Sequence, residues 1–253
     1  MITKDQLNLF AKKNKTNETV VFREYLQLLF LNALYITAGS EKIYFKGGTA
    51  IHLILKSPRF SEDLDFTVEL EESDFINLIS KVFEKLSKEE NISFKERKTI
   101  TGKRFLLTAA PPFIDYKAFV HLDFSFREKV ITPEKSIIKS DFPILFTSYI
   151  YHLSAEELLA EKIRAILTRE KGRDLYDLWY LLTRNTPLNE KMIVKKLEYY
   201  QINKFEREKI LKRVGSFSEK DFILDLKPFV SFDEREKLGK FLAYLKDYLS
   251  KNL

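Results

Sequence analysis

Asp63 and Asp65 lie one residue apart in the run KGGTAIHLILKSPRFSEDLDF, within twenty residues of the glycine pair Gly47-Gly48. In an extended strand that spacing sends both carboxylates to one face. Two carboxylates side by side repel each other, and a divalent cation is the usual means of keeping both ionised. The glycine pair ends a short apolar run and opens a helical one, where backbone N–H groups favour an anion such as phosphate. Two glycines more often make a tight turn with no ligand, and surface strands often carry acidic pairs. Their conjunction is rarer. It points to metal-assisted chemistry on a nucleoside triphosphate.

Asp123 is the candidate third carboxylate. It stands between Leu122 and Phe124, where a bare buried carboxylate is costly. A two-cation site needs a further acid as bridge or base, and such an acid also suits deprotonation of an attacking hydroxyl. The alternative is a solvent-facing residue on a strand with one wet side. The second informative run is EKIRAILTREKGRDLYD, from Glu161 to Asp177. On a continuous helix Lys162, Arg169 and Arg173 share one face, which would hold triphosphate oxygens. Asp174 and Asp177 would orient those cations or cap the next helix. Gly172 is a point where the helix can break, and for each of these residues an ordinary charged surface is the alternative.

These residues need a scaffold. Apolar spacing predicts helices over residues 3–14 and 16–38, a strand over 43–45, a helix over 49–56 and a turn at Ser57-Pro58. DLDFTVEL reads as a strand and residues 71–90 as a helix. Strands over 92–98, 104–110 and 118–127, punctuated by Gly102, Pro111 and Pro112, read as an antiparallel meander. From Ser154, which opens a capping box with Glu157, the pattern is helical: 155–170, 173–184, 189–200, 204–214 and 232–250. The expected fold class is α+β, a mixed sheet with flanking helices over residues 1–150 and a helical domain over 151–253.

Composition sets the outer bounds. With 253 residues, 45% of them hydrophobic, the chain is globular and long enough for a real core. It has no cysteine, which excludes disulfides, thiolate-held zinc and a thiol nucleophile. The three histidines are scattered, so a histidine metal site is not expected. GxxxxGK[ST], GxGxxG and GxSxG are all missing, which argues against Walker ATPases, Rossmann dehydrogenases and α/β hydrolases. No signal-peptide core and no membrane-spanning run is apparent, so a cytoplasmic protein is expected. The formal charge is +6, of which +4 falls from Tyr151 onward, where 21 basic residues face 17 acidic ones. That bias permits a nucleic-acid partner without requiring one.

Taken together, KGGTAIHLILKSPRFSEDLDF and EKIRAILTREKGRDLYDLWYL closely resemble the AbiEii/AbiGii nucleotidyltransferase toxin family, within the DNA polymerase β-like superfamily. The resemblance covers roughly residues 40–185. It implies a polymerase β-like fold whose helical domain closes a cleft, and a nucleotide-binding corner of Gly47, Gly48 and Thr49 with Lys46 beside it. It implies that Asp63 and Asp65 hold Mg²⁺, as a pair of ions, with Asp123 as the third acid and Lys162 on the nucleotide phosphates. Arg173, Asp174 and Asp177 match the family's RDxxD pattern, and Arg169 joins the nucleotide-binding set. Ser61 matches a hydroxyl position where related toxins are silenced by phosphorylation. Serine commonly follows the first glycine in such enzymes, whereas this chain has Gly48-Thr49. The implied activity moves a nucleoside monophosphate from an NTP to an acceptor, with the 3′ end of tRNA as the expected acceptor and an antitoxin as restraint. A protein or small-molecule acceptor, and a non-catalytic module that binds nucleic acid or antitoxin, are the rivals.

Overall fold

The computed structural model describes residues 1–113 and 115–253. The chain divides into two compact units, one comprising Met1–Ile54 and Phe60–Leu153, the other Leu55–Arg59 and Ser154–Leu253. The first contains α1 (Lys4–Lys13), α2 (Glu18–Ile36), β1 (Ile43–Lys46), α3 (Gly47–Leu53), β2 (Leu64–Val68), α4 (Glu72–Glu89), β3 (Ile92–Arg97), β4 (Lys103–Ala109), β5 (Ala118–Ser125), β6 (Pro133–Ser136) and β7 (Ile150–Leu153). Thr3 and Gln6 form a reciprocal capping box that starts α1.

The seven strands form one sheet in the order β3-β4-β5-β2-β1-β7-β6. β2 runs parallel to β5 and β1 parallel to β7, while the other neighbours are antiparallel. The sheet is therefore mixed, as expected, and β3, β4 and β5 pair antiparallel in chain order. One face is aromatic. Phe66 of β2 stacks on Phe124 of β5 with ring centroids 4.8 Å apart. Phe30 of α2 meets Phe66 edge-on at 6.1 Å, and Phe75 of α4 packs on Phe124 at 4.7 Å. Burying each such ring is worth about 1.5–3 kcal/mol, so α2 and α4 are held against this face. Strand alternation then sends Asp65 and Asp123 to the opposite face.

The second unit is built from α5 (Ala155–Thr168), α6 (Gly172–Thr183), α7 (Glu190–Glu198), α8 (Arg207–Ser216), α9 (Glu219–Leu226), α10 (Phe232–Arg235) and α11 (Leu238–Asn252). Ser154 caps α5, accepting the Glu157 N–H at 3.2 Å. Trp179 packs edge-on against Tyr176 at 5.4 Å and Phe241 at 4.8 Å. Sequence reading missed α9, because only Phe222 and Leu226 of its eight residues are buried, too few to show a period. It also ran one helix through 232–250. The Ser231–Glu234 capping box instead closes a single turn, α10, before α11 begins. Among the described residues no helix is long and apolar enough to cross a membrane.

Candidate active site

The sheet register assembles what the linear sequence separates. Lys46 of β1 is the register partner of Asp65 of β2, Asp65 of Asp123 on β5, and Asp123 of Arg104 on β4. Register partners share a face and adjacent strands lie about 4.8 Å apart, so the four side chains form a row across four strands. Its charges run plus, minus, minus, plus. Like charges side by side are unfavourable, and the row places a cation at each end of the carboxylate pair.

Arg104 is the member that sequence reading overlooked. Its Nε donates to Asp123 Oδ1 at 2.5 Å, with the arginine 45% exposed and the aspartate 26%. The hydrogen bond it donates to Asp123 pushes the guanidinium above its already high value; burial opposes this, and the charges of Asp123, Asp63 and Asp65 add to it. Nothing in the spacing of Arg104 marks it; only the β4–β5 register does.

Asp63 sits just before β2, outside the strand that was expected to carry it with Asp65. Local bonds fix its loop. The Thr49 hydroxyl donates to the Asp63 carbonyl, and Gln27 Nε2 donates to the Ser61 carbonyl at 3.1 Å. Thr49 is buried, so its hydroxyl ties the glycine corner to the acidic loop. Ser61 is partly exposed. α3 starts at Gly47, two residues earlier than the spacing predicted. Gly47 has φ +79°, and a Cβ there would collide with the Asp65 carboxylate. Glycine at this position lets the backbone close on that acid. Lys46, the residue preceding α3, is buried.

The second unit holds its own charged cluster. Arg59 is 2% exposed and grips Asp177 bidentately, with its NH2 nitrogen 2.9 and 2.8 Å from the two carboxylate oxygens. Lys162 Nζ lies 2.9 Å from Asp174 Oδ1 and 2.8 Å from Asp177 Oδ2. Arg169 Nε donates to Asp174 Oδ2 at 2.7 Å. Burial opposes charge on Lys162, but Asp174 and Asp177 outweigh it and raise the ammonium above its ordinary value. Burial would likewise push the Asp174 carboxyl up, but Lys162 and Arg169 hold it well below the usual carboxylate range.

One expectation is corrected here. Lys162, Arg169 and Arg173 do not share a helical face, because α5 ends at Thr168 and the chain is extended at Arg169. α6 restarts at Gly172, where a Cβ would press on Phe222 at 3.1 Å. Arg173 lies over the Phe229 ring at 4.7 Å. Arg59 was also overlooked: its partner Asp177 is 118 positions away, and nothing in its local spacing marks it.

All three acids near the glycine corner offer carboxylate oxygens, the donors a hard cation such as Mg²⁺ takes. Among the described residues no three acidic or histidine side chains already converge to hold an ion. Asp123 is bonded to Arg104.

A profile of the family described as nucleotidyl transferase AbiEii toxin, type IV TA system, matches residues 29–250. No curated protein matches the chain in sequence. Among solved structures the chain is similar to MenT4, a nucleotidyltransferase toxin from Mycobacterium tuberculosis H37Rv, at 19% identity and a TM-score of 0.69, covering 99% of this chain and 90% of that one. It is also similar to JHP933 from Helicobacter pylori, at 21% identity and a TM-score of 0.56, covering 93% and 94%. At these identities the structural likeness speaks for the fold.

Proposed function

The chain belongs to the AbiEii nucleotidyltransferase toxin family, and on that premise we propose that it transfers a nucleoside monophosphate from an NTP to the 3′ end of tRNA in a Mg²⁺-dependent reaction. Membership in a type IV toxin–antitoxin family brings with it an NTP substrate and an antitoxin partner. The observation that carries the finer reading is the pairing of Asp65 with Asp123 on neighbouring parallel strands, with Gly47 closed against Asp65.

In this reading the acceptor hydroxyl oxygen attacks the α-phosphorus, the bond from that phosphorus to the β-phosphate bridging oxygen breaks, and pyrophosphate leaves. Asp63 and Asp65 would hold the Mg²⁺ ions, with Asp123 completing the oxygen set. Bound Mg²⁺ would supply charge stabilisation for the attacking and leaving oxygens. Asp123 would take the proton of the acceptor hydroxyl. Gly47, Gly48 and Thr49, with Lys46, would form the nucleotide corner. Lys162, with Arg169, Arg173, Asp174 and Asp177, would meet the phosphates; in support, Arg59, Lys162 and Arg169 leave their cluster with Asp174 and Asp177 one positive charge in excess. Phosphorylation of Ser61 would place about −1.5 to −2 charges two residues from Asp63 and repel the triphosphate.

Basic residues of the second unit support an RNA acceptor. Tyr199 and Tyr200 are exposed, edge to face at 5.7 Å, with Arg164 over the Tyr200 ring at 5.2 Å. Exposed aromatics among cations suit stacking on unpaired bases. Lys196 lies buried at 3% exposure, paired with Glu157 at 2.6 Å, and so does not belong to this surface. Incubation with each α-labelled NTP and total RNA tests the reading. Label in the tRNA fraction is expected, and label confined to protein would replace the RNA acceptor with a protein one.

A further inference from the structure

Arg104 occupies the end of the carboxylate row where a cation would be wanted, and it comes from β4, outside every motif that names the site. Its guanidinium is half-exposed and bonded to Asp123. Its Nε donates to Asp123 Oδ1. Among the described residues no three acids converge to hold an ion, although Asp65 and Asp123 are direct register partners. Asp123 is held by its arginine neighbour. A carboxylate oxygen that accepts a hydrogen bond from a guanidinium has that lone pair engaged and a full positive charge beside it, and both oppose a second cation.

We propose that Arg104 is a positioning residue that competes with the divalent cation for Asp123, so that loading the site requires Asp123 to exchange its guanidinium partner for the metal. The inference rests on the metal-site reading above and adds a step to it. In the idle site the guanidinium of Arg104 offsets the like charges of the register partners Asp123 and Asp65. In the loaded site the ion would supply the same charge, and the guanidinium, 45% exposed, would be released to solvent. Exposure of Arg104 makes the exchange cheap, since water can take over its hydrogen bonds. No covalent bond changes in this step.

The test is Mn²⁺ binding to the full chain without nucleotide, measured by calorimetry and by the loss of free Mn²⁺ signal in electron paramagnetic resonance. Arg104→Gln should tighten Mn²⁺ binding by about tenfold, the scale of one charged hydrogen bond. Arg104→Lys, which keeps the charge, should stay nearer to wild type. In an Asp123→Asn background Arg104→Gln should change the affinity by less than about twofold, because the competition acts through that carboxylate. Mn²⁺ binding that depends on Asp65 but is unchanged or weakened by Arg104→Gln overturns the exchange alone. An equal gain from Arg104→Gln with and without Asp123 overturns it too, leaving only a general field effect. Wild-type protein that binds no Mn²⁺, or binds it equally after Asp63→Asn and Asp65→Asn, removes the metal-site reading and the exchange with it.

Discussion

At the residue scale the two charged groupings make different demands on their members. Asp63, Asp65 and Asp123 are each partly exposed, so they contribute little to folding and their neutralisation should be felt in chemistry. Asp65→Asn should reduce nucleotidyl transfer by at least about a hundredfold, the scale of losing a preorganised charge in the transition state, with the melting temperature nearly unchanged. Arg59 and Asp177 are the reverse case. Removing one partner of a buried pair leaves an uncompensated charge, so Asp177→Ala should cost about 3–5 kcal/mol and lower the melting temperature by on the order of 10 °C. Lys162→Ala separates two roles: a rise in the KM for NTP beyond the stability loss supports phosphate contact, and unchanged kinetics with a lowered melting temperature makes Lys162 an ion-pair partner. Asp174 adds a pH dependence. Its folded carboxyl binds a proton less readily than the ordinary value of 3.8, so its stabilisation is complete above that pH and drains away as pH falls below it. The difference between the urea midpoints of wild type and Asp174→Asn should therefore be constant above about pH 5 and begin to shrink as the pH falls below about 4.

At the element scale, strand register decides which residues meet. Asp63 and Asp65, the glycines and Asp123 stand out in the sequence because each carries a local signal: spacing of two, a strand-to-helix corner, a charge amid apolar neighbours. Arg104 carries none, since a lysine- and arginine-rich chain has many equivalent residues and only pairing to β5 singles one out. The same holds for Arg59, whose partner lies on α6. The break between α5 and α6 was foreseeable at Gly172 but its consequence was not, because a helical wheel drawn through a break puts residues on a face that does not exist. Gly47→Ala belongs to this scale. A side chain at φ +79° costs about 1–3 kcal/mol and would displace the Asp65 carboxylate, so activity should fall further than stability. Activity retained by this variant would show that the close approach is not needed.

At the scale of the whole molecule, the α+β class and the change to helix near residue 154 were legible because periodicity switches there from two to 3.6. Net charge gave a direction but not an address: among the basic residues from Tyr151 onward, burial removes Lys196 from any acceptor surface. Charge reversal at Lys209, Lys212 and Arg213 should weaken RNA labelling and flatten its salt dependence, while NTP-binding affinity stays the same. Labelling as efficient as wild type would exclude that surface. The central claim is that this chain is a nucleotidyltransferase working through the acidic row on the face of its sheet opposite the aromatic one. Its most direct measurement is pyrophosphate release from each NTP in the presence of tRNA and Mg²⁺, with label on the RNA followed in the same reaction. Wild type should release one pyrophosphate for each nucleotide attached, and Asp65→Asn and Asp123→Asn should release almost none. Equal release from wild type and both variants, or label transfer without pyrophosphate, would contradict it.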